Sequence, residues 1–217
     1  MSFESWWTIA GEWVEPPNQR RDGESGVKLA QHPEFGPLYV KLQTNHCYRS
    51  LRYPFGRPTV WREHDALAAA RALHVPVPEV VACFDRKNAN GWQAVLATKA
   101  LVGYRDLFAW GRRREKGIIQ DAVLHEMLEQ AGTVIGRLHA GGWMHTNLYP
   151  NHVFANHEAG EAPVQVALID LENSRRVWRK KQAASRDLNQ LKKRCQMFTV
   201  TEWGLLEDAH WRTFHRT

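Results

Sequence analysis

The chain has 217 residues, 43% of them hydrophobic, enough to bury a core in one two-lobed domain. A net charge of +6 favours an anionic partner: nucleic acid, a phospholipid surface, a nucleotide or a phosphorylated sugar. Cys47, Cys83 and Cys195 lie far apart with no CxxC and no His/Cys cluster, so neither a disulfide framework nor a zinc site is suggested, and no run approaches the ~18 apolar residues of a membrane span. The start, MSFESWWTIAGEW, has no basic leader region, so the expectation is a soluble or peripheral protein in a reducing cytoplasm.

Between residues 11 and 44, strand-like runs are punctuated at Pro16-Pro17-Asn18, Asp22-Gly23 and Gly36-Pro37, predicting three strands joined by tight turns. In the last, Leu38, Val40 and Leu42 alternate with Tyr39 and Lys41, so Tyr39 and Lys41 share the face opposite the apolar one. A basic and aromatic loop follows over residues 46–58. Thr59 then caps a helix predicted to reach about Leu73, with Val60, Glu63, Leu67 and Ala70 on one stripe, before Val75-Pro76-Val77-Pro78 stops it. Residues 80–84 and 93–98 predict two more strands around an Asn88-Ala89-Asn90-Gly91 turn. The result is an α+β lobe with a five-stranded sheet and one helix.

The strongest helical period runs over residues 120–140, with Leu124, Leu128, Ala131, Ile135 and Leu138 at helical spacing and Gly141-Gly142 as its stop. Two apolar runs, residues 153–155 and 164–171, flank a turn-rich HEAGEAP segment and predict a hairpin. A further helix is predicted from a Ser185 cap over RDLNQLKKRCQ, and the tail TEWGLLEDAHWRTFHRT predicts an amphipathic helix with Leu205, Leu206 and Trp211 on one side.

Three residues and a loop stand in an order with chemical meaning: a strand lysine (Lys41), a glutamate on the next helix (Glu63), a histidine-containing loop after a long helix, and a strand-end aspartate (Asp170). In kinase-type phosphoryl transfer a lysine neutralises the α- and β-phosphates, a helix carboxylate orients it, and a strand-end aspartate holds the metal that spans the phosphates.

The segments RRDGESGVKL, LYVKLQTN, SLRYPFGRPTVWREHDAL, GGWMHTNLYPNHVF and VALIDLENSRR resemble the InaA branch of the lipopolysaccharide kinase (Kdo/WaaP) family, over nearly the whole chain. The resemblance implies an α+β, protein-kinase-like two-lobed fold with a five-stranded N-lobe sheet and a small, mainly helical C-lobe. As one domain over residues 1–217, it would have its N-lobe at 1–98, hinge at 99–101 and C-lobe at 102–217. The implied activity transfers the γ-phosphate of ATP, with Mg2+, to a sugar of the lipopolysaccharide core or another anionic sugar-lipid, in the cytoplasm or peripherally on the inner membrane.

Carried over residue by residue, the resemblance implies that Lys41 contacts the phosphates, Glu63 pairs with it and Asp170 binds magnesium. Thr98 and Leu101 would flank adenine at the hinge, and Gly23 and Gly26 would open the turn 22–26 to phosphate. Tyr39 would either stack on the base or partly plug its pocket. The H-x-D pattern of the catalytic loop falls on His145-Thr146-Asn147, and His152 takes the place of the second metal-binding asparagine. Here the chain departs from the pattern, because the amide of Asn147 can neither accept a proton from a hydroxyl nor attract it as an anion would. Glu172 is the nearest carboxylate to replace it. Magnesium prefers oxygen, so His152 is expected to bond phosphate or the loop itself; His145 is expected to fix the loop and Asp187 to brace its backbone.

Positive charge concentrates at Arg49, Arg52 and Arg57, at Arg112 to Arg114 with Lys116, and at Arg175 and Arg176 with Arg179 to Lys181, each cluster beside aromatic residues. Two readings follow: a phosphotransferase with an altered catalytic loop, or a pseudokinase acting as a nucleotide- or lipid-binding module. A nucleic-acid partner is not expected, since no motif supports one and the order of Lys41, Glu63 and Asp170 would go unexplained.

Overall fold

A computed structural model describes residues 2–20, 23–157 and 163–216. The chain forms two compact units, one of residues 1–67 and 78–100, the other of residues 68–77 and 101–217. No helix among the described residues is long and apolar enough to cross a membrane.

The first unit opens with a short helix α1 (Phe3–Trp7), capped by the Ser2 hydroxyl, which accepts from the Ser5 N–H. Strands β1 (Glu12–Arg20), β2 (Gly23–His32) and β3 (Gly36–Thr44) follow. A two-residue ladder of β4 (Cys47–Tyr48) and β5 (Arg57–Pro58) leads into helix α2 (Val60–Ala72), whose residues from Ala68 on belong to the second unit, and β6 (Val80–Asn88) and β7 (Gly91–Lys99) close the first. The five long strands form one antiparallel sheet in the order β1-β2-β3-β7-β6, the sheet expected from the alternation. Leu38 and Val40 are fully buried against Trp6, Ala30, Val95 and Ala97, so α1 and one sheet face make the core and leave the face of Tyr39 and Lys41 outside it.

Two turn assignments are corrected. Pro16-Pro17-Asn18 is no turn: β1 runs through it, with register shifts on both sides of Glu15, because an edge strand tolerates prolines at a bulge. Gly23 to Gly26 are likewise not a loop but the first residues of β2, with Gly23 paired to Arg20, while Asp22 lies outside the described residues. A Cβ on Gly23 would meet the Asn45 carbonyl carbon at 2.4 Å, and one on Gly26 would meet the Pro17 nitrogen at 2.9 Å. Close backbone packing inside the sheet thus explains both glycines.

The second unit begins with β8 (Arg105–Asp106) and α3 (Leu107–Glu115), a helix capped by Asp106, whose Oδ1 accepts from the Ala109 N–H at 2.7 Å. Then come the long α4 (Asp121–Ala140), β9 (Trp143–Met144), a 3-10 turn at Pro150–His152, β10 (Val153–Asn156), β11 (Gln165–Leu168), β12 (Arg175–Arg176), α5 (Lys180–Arg194) and α6 (Val200–Arg216). The β10–β11 hairpin pairs Val153 with Leu168; of its expected HEAGEAP turn, residues 158–162 fall outside the described residues.

Helices α4 and α6 meet with their backbones in near contact: a Cβ on Gly132 would lie 2.2 Å from the Leu206 carbonyl oxygen, and one on Gly136 would lie 2.8 Å from that of His210. The face α6 buries is therefore Trp203, Leu206, Ala209 and His210, whereas Leu205 and Trp211 of the expected face are only half-buried. Helix α5 also starts five residues before Ser185, at Lys180, whose ammonium donates to the Ala140 carbonyl at the end of α4. The Ser185 hydroxyl bonds back to Lys181 within the helix.

Candidate functional site

In the first unit, Lys41 of β3 forms an ion pair with Glu63 of α2, and both side chains are largely withdrawn from water. The helix is held in place for this contact by Gln43, two residues on from Lys41 and on the same sheet face. The Gln43 carboxamide oxygen accepts from the Val60 N–H, the first of α2, at 3.1 Å, and from the Thr59 hydroxyl at 3.1 Å. His46 Nδ1 lies 2.8 Å from the same hydroxyl. Gln43, His46 and Thr59 are all buried, so this polar cluster is costly to break. It replaces the expected Thr59 side-chain cap: Thr59 starts the helix through its carbonyl, and Gln43 satisfies the helix end. Glu63 sits one turn further on, over Lys41.

Tyr39 is half-exposed and opposes Thr98 across the β3–β7 ladder. Leu101, two residues beyond the end of β7, belongs to the second unit and accepts from the Tyr104 N–H.

In the second unit the loop after β9 is organised by a buried carboxylate. Asp187 Oδ2 accepts from the His145 N–H at 2.7 Å, and Oδ1 accepts from the Thr146 N–H at 3.1 Å. Thr146 has φ +68°, a left-handed conformation that is a genuine outlier for a β-branched residue, and its hydroxyl donates to the Asn173 carbonyl. His145 is fully buried with its Nε2 bonded to the Ile169 carbonyl; burial is the main cause that lowers its pKa, keeping the ring neutral. Its Nδ1 has no partner among the described residues, which fits a bare lone pair rather than an N–H.

Asn147, His152 and Asp170 are brought together around this loop. His152 Nδ1 donates to the Asn147 carbonyl at 2.7 Å and lies 3.6 Å from Asp170 Oδ2. The ring thus bonds the loop itself. Asp170 adopts φ +58°, and β11 ends at Leu168, three residues earlier than the apolar run through Leu171 suggested. Glu172 stands in the turn just beyond.

No group of three or more His, Cys, Asp or Glu among the described residues is placed to hold a metal ion. Asp170, about one-third exposed, offers one hard oxygen donor. That donor set fits magnesium carried on a nucleotide, since magnesium takes one or two carboxylates and completes its shell with phosphate and water.

Two connections in this unit went unseen in the sequence. His139 Nε2 lies 3.0 Å from Asp187 Oδ2 and His139 Nδ1 lies 2.8 Å from His210 Nε2, so α6 is linked through α4 to the loop. The basic cluster on β12 and α5 also borders a groove of about 470 Å³ lined by Met144, Arg175, Arg176, Trp178, Arg179 and Arg186 among others. Arg175 pairs with Met144, the residue before His145, and no ion pair engages Arg175, Arg176, Arg179 or Arg186 among the described residues. The Arg112–Arg114 cluster is different in kind: Arg114 lies within 3.6 Å of both Asp121 and Glu202 and ties α3 to α6. Glu202 is also the partner of Thr199 in a reciprocal capping box.

The sequence profile of the lipopolysaccharide kinase (Kdo/WaaP) family matches residues 4–217. The chain is 32% identical over 201 residues to protein InaA of Escherichia coli, covering 93% of this chain and 91% of that protein. Among solved structures it superposes on WaaP in complex with acyl carrier protein with a TM-score of 0.70 at 15% identity, covering 97% of this chain and 82% of that one. The kinase-like fold expected from the motifs is the fold found.

Proposed function

Because the chain belongs to the lipopolysaccharide kinase (Kdo/WaaP) family, we propose that it transfers the γ-phosphate of ATP to a hydroxyl of lipopolysaccharide core or a similar anionic sugar-lipid. The observation that carries this reading is the Lys41–Glu63 ion pair, clamped by Gln43. A surface lysine gains little from such a pair, whereas a lysine held by a carboxylate at a fixed point of a sheet is suited to neutralising phosphate. Tyr39 and Thr98, opposed on adjacent strands, are the proposed adenine neighbours, and Gly23 and Gly26 at the start of β2 remain the proposed phosphate-side backbone. Asp170 would supply the oxygen to magnesium.

In the transfer, the acceptor oxygen bonds the γ-phosphorus, ADP leaves with the electrons of the broken bond, and the hydroxyl proton must be taken up. Asn147 cannot take it, and Glu172 is the first alternative in this chain. The unpaired arginines of the β12–α5 groove suit an acceptor bearing phosphates of its own. Work on such an acceptor would place the chain at the cytoplasmic face of the inner membrane.

Asn147 favours a second reading, a pseudokinase that binds nucleotide or lipid without turnover. Calorimetry of magnesium-ATP binding, followed by γ-phosphate transfer to purified core lipopolysaccharide, separates the two. Binding with transfer supports the kinase, binding without transfer the pseudokinase, and no binding refutes both nucleotide readings.

A further inference from the structure

The loop between β4 and β5 presents two apolar side chains to water at the tip of an ordered turn. Leu51 is 105% exposed and Phe55 93% exposed, against a core in which leucines of the same unit are fully buried. The turn is internally tied: the Tyr53 N–H donates to the Ser50 carbonyl at 3.0 Å, the Ser50 N–H donates back to Tyr53, and the Gly56 N–H donates to Tyr53 as well. Tyr53 packs edge-on against Tyr48, and its hydroxyl accepts from Arg57, whose guanidinium also lies over the Tyr53 and Trp61 rings. The loop therefore holds its shape without help from Leu51 or Phe55, which contribute nothing to its own packing. Beside them, Arg49 and Arg52 are exposed and make no ion pair among the described residues.

We infer that this loop is a membrane-docking element that inserts Leu51 and Phe55 below the headgroups of an anionic bilayer while Arg49 and Arg52 bind the lipid phosphates. The charge and shape of the tip select this occupant. Unpaired arginines beside apolar tips match a surface with anions at its boundary and hydrocarbon beneath. A protein partner would need a recess cut to two convex side chains, and a nucleic acid offers no hydrocarbon for a leucine. A bilayer accepts any apolar tip and needs no matching shape. The inference does not depend on phosphate transfer, since docking requires neither ATP nor Asn147.

The test is flotation of the full chain with vesicles of phosphatidylcholine alone or mixed with phosphatidylglycerol. The wild type should float with the mixed vesicles and not with the neutral ones. Leu51→Ser/Phe55→Ser and Arg49→Gln/Arg52→Gln should each reduce partition by roughly 10-fold or more, following the lost apolar burial and the lost headgroup attraction. Val102→Ser, an exposed apolar residue of the other unit, should float as wild type. Circular dichroism and melting should match wild type in all variants because every altered side chain is exposed; were the serine variant to unfold, the glutamine variant still decides. The inference is overturned if wild type ignores both vesicles or binds them equally, or if the serine variant partitions unchanged. It is equally overturned if an oligonucleotide displaces the chain from vesicles and binds with full strength to the serine variant.

Discussion

Asp187 fixes the strained backbone of Thr146: one carboxylate oxygen bonds the nitrogen of a threonine held at φ +68°, immediately before Asn147. Such a conformation costs on the order of 1–3 kcal/mol and persists only where its surroundings enforce it. Asp187→Ala removes that enforcement and leaves the buried His145 and His139 donors and the half-buried Thr146 N–H unpaired. Urea denaturation should show a loss of about 3–5 kcal/mol, the cost of breaking a buried network. A loss under about 1 kcal/mol would show that the loop keeps its shape by other means.

For nucleotide binding, Lys41→Ala removes the phosphate-facing charge and Asp170→Asn removes a hard ligand of magnesium. Each should weaken magnesium-ATP binding by roughly 10-fold or more, the scale of a lost charged hydrogen bond. Arg112→Ala, on the exposed side of α3, should leave the affinity unchanged. Wild-type affinity in both Lys41→Ala and Asp170→Asn, read by calorimetry, would place ATP elsewhere or nowhere.

His210 gives the fold an acid sensitivity of definite sign. Burial, with smaller contributions from His139 and His215, lowers its pKa from 6.5 to about 3, so it stays neutral in the folded chain while the unfolded chain takes up a proton below pH 6.5. The stability it contributes is present above pH 6.5 and is lost progressively as pH falls toward 3. The slope is about 1.4 kcal/mol per pH unit for one proton. Its Nε2–H then donates to His139 Nδ1, and among the described residues its own Nδ1 is left as an unpaired lone pair. His210→Gln keeps a donor but cannot titrate. Between pH 6.5 and 5 its unfolding free energy should fall less steeply than that of wild type, by about one proton, and parallel slopes would refute the neutral assignment.

Much of this architecture was legible in residue spacing. Alternation along Leu38 to Leu42 set which face Lys41 occupies, and the long helical period over Leu124, Leu128, Ala131 and Leu138 predicted α4 nearly to its ends. Glu63 fell on the stripe that carries it to Lys41. What escaped were features decided by tertiary contact. The start of α5 depends on Lys180 reaching the end of α4, and the clamp on α2 depends on a strand glutamine 17 residues before the helix end it satisfies, outside any local capping pattern. Helix α1 is too short to show a period. Asp170 ended its strand by a backbone conformation that no apolar pattern records. The capping box at Thr199 and Glu202 was the one missed signal written plainly in the sequence.

Asn147→Asp tests the altered loop directly, because it restores a carboxylate at nearly constant volume. The residue is half-buried, and among the described residues its side chain makes no hydrogen bond that the change would break. Its carbonyl, which holds His152, is untouched by the substitution. A new carboxylate there would lie near Asp170, and the repulsion between them would weaken nucleotide-free stability slightly while adding a base for the acceptor proton. If the rest of the site is competent, transfer to core lipopolysaccharide should rise by roughly 10²-fold, the lower range for a positioned base. A brisk wild-type rate left flat by Asn147→Asp would assign the proton to another group, and Glu172→Gln should then abolish transfer while sparing ATP binding. If wild type and Asn147→Asp both bind ATP and neither transfers phosphate to any core acceptor, the kinase reading fails and the pseudokinase stands.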